Sequence, residues 1–596
     1  MRDVNEIINR VGSNSDFSGL LLSLKERYAG QTLFVYENEN NESIERTYAE
    51  FVDDVMFSAN WINDHIREKE NKHLAAFVKN DYEYIVLYSA SLCGAGVFIL
   101  IDDKLEPELI CDNLKALDVD LIIADSAFSE RLKEDQFSSV SGIECINISE
   151  MVQERARKEQ TSLTLNFVPK SPDELHVIVP TSGTLSKFQK YVMLSATNFI
   201  SCVKSNIEAG VDTYRYKNEQ KVLSVLPLVH VFALMANVLL PICCGDQVIL
   251  SKGLENLASD LLKYNPTSLC VVPLIAEGIM RKYVISKKNT PELESSSVFG
   301  TDFGEIMLAG ANVSEDLVKA YDSLGYNVMR AYGMSEATAN VITSFQLNRE
   351  RDYKTLGHAM PGIEIKTIDG EICVKGKNVM LGYYKNEELT KQTIVDGWLK
   401  TGDAGYISDN GRVYFSGRKK SVIVLNNGEN IIPEEIEEFF SSIDDIEECV
   451  VYTKEDKKLY FLGRTSKSFT EYDDILYSLQ VKNRELPYGK QVHKFILTDN
   501  EIPKTGSGKI MRSSLKQFVA VNEIQMDIKK IVDSMLYTKV DIRGESSFKN
   551  DLELSSFDMM VLWTEICKKF SIEMPKKVIM NYNCIADISN YVAENA

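Results

Sequence analysis

With 596 residues and 44% apolar side chains, the chain is long enough for about four domains with full hydrophobic cores. Its 66 basic and 87 acidic residues leave a net charge of −21, which excludes nucleic acid or an anionic membrane as the main partner, since both select basic surfaces. Eleven cysteines without a Cys-x-x-Cys pair, and six histidines without a His-Glu-x-x-His pattern, argue against a disulfide frame or a zinc site.

The N-terminal stretch Met1 to Glu6 is acidic and lacks a signal-peptide core, and the longest apolar run, Val231 to Cys244, is broken by Asn237 and Pro241. It is too short to span a bilayer, so no membrane span and a cytoplasmic location are expected. Along the chain, His73 to Phe77 reads as a strand, Tyr82 to Leu92 as an amphipathic helix and Gly96 to Ile101 as a strand. Further strand-like runs follow at Val177–Val179, Val222–Leu226, Val248–Leu250, Leu269–Val272 and Glu305–Leu308. This alternation predicts parallel sheets with crossover helices. After about Ile365 the texture changes to short strands with tight turns, such as Ile368-Asp-Gly-Glu371 and Ser408-Asp-Asn-Gly-Arg412, which predicts a small β-rich layer. A compact α+β unit follows from about Arg418 to Phe518, then a linker near Val519 to Ile524 that has no Pro or Gly and is expected to be short and partly ordered, then about 70 helical residues. The expected domains are 1–417, 418–520 and 525–596.

Two loops suggest phosphate chemistry. Thr181-Ser182-Gly183-Thr184-Leu-Ser-Lys187 follows a strand, and its backbone N–H groups, hydroxyls and lysine suit a triphosphate, although the Walker spacing is absent. Near the C-terminus, Asp551-Leu-Glu-Leu-Ser-Ser-Phe-Asp558 opens a helix in which Met560, Trp563, Cys567 and Phe570 recur at three- and four-residue spacing. A serine there lies at a helix N-terminus, where free N–H groups and the helix dipole favour a phosphodiester; the plain alternative is a capping box from Ser555 to Asp558.

Read in order, Thr181 to Lys187, Leu226-Pro-Leu-Val-His230, Tyr332-Gly-Met-Ser-Glu336, Trp398-Leu-Lys-Thr-Gly-Asp403, Gly417-Arg418 and Pro503-Lys-Thr-Gly-Ser-Gly-Lys509 resemble the ordered motif set of the adenylate-forming superfamily: acyl-CoA synthetases, firefly luciferase and peptide-synthetase adenylation domains. The likeness covers nearly all of residues 45–516. The segment at 551–558 resembles the serine loop of acyl and peptidyl carrier proteins, in a register that puts Ser556 at the attachment point, with Ser555 where that family usually has Asp. The resemblance implies a multidomain α/β protein with a large adenylation domain, a mobile α+β lid and a C-terminal four-helix carrier bundle.

The same resemblance implies ATP, Mg2+ and 4′-phosphopantetheine as cofactors. A carboxylate and ATP would give an acyl-adenylate and pyrophosphate, and a thiol would then displace AMP. Tyr332 would stack on adenine, Glu336 hold magnesium, Asp403 accept the ribose hydroxyls and Arg418 contact the nucleotide, while Lys509 offsets charge building at the α-phosphate. Lys420 would be the hinge, where acyl-CoA synthetases usually have Lys and amino-acid activating domains Asp, and Asn426 to Glu434 would line the thiol's route in the second conformation. Ala309, Gly310 and Ala311 would form a pocket wall, and His230 would contact or gate the carboxylate. His230-Val-Phe-Ala-Leu-Met235 contains no acid to pair with a substrate ammonium, so a fatty or aryl acid is expected. In the phosphate loop Ser186, Phe188 and Tyr191 are bulkier than the residues the family usually has. The expected partners are a small-molecule carboxylic acid, a phosphopantetheinyl transferase and a downstream condensing, reducing or transferring enzyme. A self-loading ligase is the leading reading; a synthetase acting on free CoA and an inactive carrier-docking scaffold are the alternatives.

Overall fold

A computed structural model describes the chain apart from residues 1–2, 15, 39, 80–81, 158–163, 182–189, 211–217, 345–351, 420–422, 426–429, 455, 505–509, 537–539, 574–581 and 596. The expected site residues Ser182, Gly183, Thr184, Lys187, Lys420 and Lys509 lie outside the described residues. The chain forms two compact units, one of residues 1–401 and 405–415, the other of residues 402–404 and 416–596.

The first unit holds two large mixed sheets. In the seven-stranded sheet the spatial order is Gly382–Tyr383, Tyr191–Ser195, Leu175–Pro180, Val97–Ile99, His73–Phe77, Leu121–Ala124 and Glu144–Asn147. Pairing is parallel from Leu175–Pro180 through to Glu144–Asn147, as expected for apolar strands alternating with helices. The helix Tyr82–Leu92 between two of them is buried on every side, so its expected amphipathic character is not found. In the nine-stranded sheet the strands Gln247–Leu250, Lys221–Ser224, Ser268–Val271, Glu305–Leu308 and Asn327–Met334 are consecutive parallel neighbours. One apolar core packs residues of both sheets together, among them Phe98 and Val177 from one and Met307 and Met329 from the other. The β-rich layer is a five-stranded sheet, in which Asp369 and Gly370 both take positive φ to join Ile363–Ile368 to Glu371–Gly376. That is the conformation a two-residue Asp-Gly hairpin turn requires.

The apolar run Val231 to Cys244 is a buried helix whose middle, Leu234–Leu239, has π-helical pairing. Pro241 lacks the N–H that would bond the Asn237 carbonyl, and the wider turn just upstream accommodates the lost rung. Among the described residues no helix is long and apolar enough to cross a membrane.

The second unit builds a three-stranded sheet from Glu448–Thr453, Leu459–Arg464 and Lys494–Thr498. Against it runs the 21-residue helix Leu515–Met535, which continues without a break through the expected linker. The linker is therefore corrected to helix interior. The upstream half of this helix, with Leu515 and Val519, and its downstream half, with Ile528 and Val532, belong to one core that also includes Leu562, Trp563 and Ile588. Asp499, just beyond the last strand, holds the junction: its Oδ1 lies 2.7 Å from the buried Lys529 ammonium and its Oδ2 accepts from the Gly544 amide at 3.0 Å. The described C-terminal helices are this long helix, Ser556–Phe570 and Ile585–Asn595.

Candidate active site

In the nine-stranded sheet the carboxyl ends of four parallel neighbours carry the sequence-derived residues along one edge. Lys221–Ser224 leads to His230, Ser268–Val271 lies between, Glu305–Leu308 leads to Ala309–Ala311, and Asn327–Met334 contains Tyr332 and leads to Glu336. This is the edge at which open α/β sheets bind ligands. His230 caps the buried helix at Val231, half-buried, rather than sitting within it. Ala309 is buried, whereas Gly310 is exposed and turns the chain with a φ of 85°. Tyr332 is half-buried against the main core.

Glu336 lies in the tight turn Ser335–Ala337 between two antiparallel strands, with only 9% of its surface exposed. The close pass of these strands explains Gly333, where an added Cβ would fall 1.4 Å from the Ala339 carbonyl oxygen. Thr338 and Ala339 have φ of 53° and 76°, each costing about 1–3 kcal/mol for a residue with a Cβ. The segment 378–383 holds that strained backbone. Met380 N donates to the Glu336 carbonyl at 2.9 Å, Asn378 Nδ2 to the Ala337 carbonyl at 2.9 Å, and Thr338 Oγ1 to the Asn378 carbonyl at 2.7 Å.

The phosphate-loop candidate joins two antiparallel strands, Leu175–Pro180 and Tyr191–Ser195, and its ends are closed by the Thr181 amide donating to the Lys190 carbonyl at 2.9 Å. The strand after it pairs with Gly382–Tyr383. Tyr383 was not singled out by the sequence, because its partner lies far away in the chain: its hydroxyl donates to Glu336 Oε1 at 2.9 Å.

Magnesium can be tested against these donors. Among the described residues no group of three or more His, Cys, Asp or Glu side chains could enclose a metal. Glu336 presents one carboxylate, which suits a hard cation that takes its remaining ligands from phosphate and water.

In the second unit Asp403, 2% exposed, lies 2.8 Å by its Oδ1 from Arg418 Nε. Gly417 brings the chain to Arg418 through a φ of 150°, in a space where a Cβ would meet Ile432 Cγ2 at 2.3 Å. The described residues on either side of 505–509 are held in place. Lys504 bridges to Ile510, Met511 N donates to the Pro503 carbonyl at 2.8 Å, and Lys504 pairs with Glu448 at 2.8 Å. Arg512 anchors the far side, donating to both Glu437 oxygens at 2.8 and 2.9 Å.

At the C-terminal serine pair the two hydroxyls are distinct. Ser555 is the N-cap of Ser556–Phe570: its Oγ accepts from the Asp558 amide at 3.2 Å and donates to the Asp558 carboxylate at 2.6 Å. Ser556 is the first helical residue, exposed, with no hydrogen bond to its hydroxyl among the described residues. The stripe expected from the sequence is corrected in part, since Trp563 is buried but Met560 is 65% exposed and Leu562 and Ile566 fill the core instead. An exposed hydroxyl at a helix N-terminus fits a phosphodiester-linked arm.

Residues 24–384 match the AMP-binding enzyme family. The chain belongs to that family. In this AMP-binding enzyme residues 527–592 match the phosphopantetheine attachment site family. The enzyme is similar to 2-succinylbenzoate–CoA ligase of Bacillus cytotoxicus, 26% identical over 487 residues, covering 76% of this chain and 90% of that one. It is also similar to 4-coumarate–CoA ligase 1 of Arabidopsis thaliana, 24% identical over 485 residues, covering 76% and 84%. Among solved structures, O-succinylbenzoate coenzyme A synthetase from Bacillus subtilis in complex with ATP and magnesium ion superposes with a TM-score of 0.67 at 21% identity, covering 83% of this chain and 98% of that one. An anthranilate CoA ligase in complex with anthranoyl-AMP gives 0.71 at 16%, covering 84% and 97%. The adenylate-forming α/β fold and the C-terminal phosphopantetheine attachment region expected from the sequence are both present.

Proposed function

We propose that this AMP-binding enzyme activates an apolar carboxylic acid, fatty or aryl, with ATP and passes the acyl group to a thiol carried on Ser556. The observation that carries this reading is that both family matches occur in one chain, with Ser556 exposed at the start of a helix. In the first step the substrate carboxylate attacks the α-phosphorus of ATP and pyrophosphate leaves with the electron pair of the broken bond. Thr181, Ser182, Gly183, Thr184 and Lys187 bind the phosphates, and Glu336 supplies an oxygen for Mg2+. Tyr332 stacks on adenine, while Asp403 and Arg418 hold the ribose and nucleotide. Lys509 stabilises charge that is larger in the transition state than in the ground state, which is what accelerates the step. A bound 4′-phosphopantetheine supplies the thiol that accepts the acyl group as AMP leaves. Ala309, Gly310 and Ala311 wall the acid pocket and His230 faces the carboxylate, while residues 230–235 offer no acid for an α-ammonium.

The relatives favour one further reading, since both curated ligases named above act with CoA. Free CoA ends in the same thiol as the arm, so the acceptor is the point to test. The holo protein is incubated with ATP, magnesium and pooled fatty, aryl and amino acids, then weighed intact and digested. One acyl mass on the arm at Ser556, from an acid without an α-ammonium, is the expected result. An unacylated arm with acyl-CoA accumulating on addition of CoA would make the enzyme a CoA ligase.

A further inference from the structure

Among the described residues Tyr383 alone hydrogen-bonds the Glu336 carboxylate, and both side chains are buried. The phenol is fixed from several sides. Its own amide donates to Thr390 Oγ1 at 2.9 Å. The Lys190 ammonium, where the phosphate-loop candidate rejoins the sheet, lies 5.1 Å from the ring centroid. Strand pairing of Tyr383 with Val192 fixes the same connection through the backbone.

We infer that Tyr383 is a positioning residue that occupies Glu336 Oε1, leaves the other oxygen for magnesium, and ties that orientation to the exit of the phosphate loop. This rests on the reading of Glu336 as the metal carboxylate. The chemical consequence is selectivity. A carboxylate with one oxygen engaged by a phenol favours one-oxygen coordination, which suits the small octahedral Mg2+; the larger Ca2+ also takes carboxylates through both oxygens and gains less from that restriction.

The test measures ATP binding to the full-length protein by calorimetry, without acid so that no reaction runs, across Mg2+ and Ca2+ concentrations; AMP binding without metal is the control. Tyr383→Phe keeps the ring and removes the donor. It should raise the half-saturating Mg2+ about tenfold, the scale for one hydrogen bond to a charged group, shift Ca2+ less, and leave AMP binding unchanged. Glu336→Gln should remove the metal dependence of ATP binding. If Glu336→Gln does so while Tyr383→Phe matches wild type, the positioning role is overturned. If Tyr383→Phe weakens AMP and ATP equally, the tyrosine is structural and the inference fails. If Glu336→Gln leaves the metal dependence intact, the underlying reading of Glu336 is what fails.

Discussion

Lys509 ends the sequence run Lys504-Thr-Gly-Ser-Gly-Lys509, and the described residues on either side, Lys504 and Ile510 to Arg512, are held by backbone pairing and ion pairs. On the proposed chemistry Lys509→Ala lowers adenylate formation by about 10²–10³-fold, the scale for losing one preorganised electrostatic group. Pyrophosphate exchange measures that loss, and transfer from supplied acyl-adenylate should be nearly unaffected. Equal loss in both steps would mean a general defect in the second unit. At this scale the sequence was readable wherever a residue sat in a motif, and blind where a partner lay elsewhere. Glu336 belongs to a recognisable run, whereas Tyr383 is separated from it by 47 positions and no local spacing signals the contact.

Elements formed of apolar runs were legible almost to the residue. His73–Phe77 and Glu305–Leu308 have the same bounds in the fold as in the sequence reading, because a short apolar run between turn residues has few places to go, and Tyr82–Leu92 has the expected bounds without the expected amphipathic character. The helix Leu515–Met535 was not legible across its middle, for a physical reason. Its buried face carries Asn522, Gln525 and Lys529, polar residues that interrupt a hydrophobic stripe. Their partners are remote. Asn500 Nδ2 donates to Asn522 Oδ1 and to Gln525 Oε1, both at 2.8 Å, and Asp499 receives Lys529. Lys529→Met leaves Asp499 without its cation and should cost about 3 kcal/mol, the low end for a broken buried pair because Asp499 keeps some contact with water. Urea unfolding followed through Trp563, the tryptophan of the second unit, measures this in a Trp61→Phe, Trp398→Phe background. Adding Asp499→Asn should recover most of the loss, since an uncharged pair is far less costly to bury. No recovery would mean that Lys529 acts by packing on Tyr472, over whose ring its ammonium lies at 5.7 Å.

The whole molecule combines an AMP-binding enzyme with a phosphopantetheine attachment region in one chain. On the proposed function the acceptor is present at a concentration set by the chain, so loading of Ser556 should proceed at a rate independent of protein concentration. Ser556→Ala should abolish covalent loading and leave pyrophosphate exchange near wild type, and Ser555→Ala should still be modified while losing about 1 kcal/mol of helix capping. Loss of modification in the Ser555 variant with its helix intact by circular dichroism would move the attachment point.

The helix Leu515–Met535 also bears on how such chains are recombined. A chimera that exchanges the last 70 or so residues at a junction near Ile524 cuts a helix at mid-length and separates Lys529 from Asp499. The donor segment would bring a foreign face to a core that Leu515, Ile528, Trp563 and Ile588 fill together. A junction placed upstream of the small sheet moves that sheet and the serine-bearing helix as a single cassette and keeps their shared core intact.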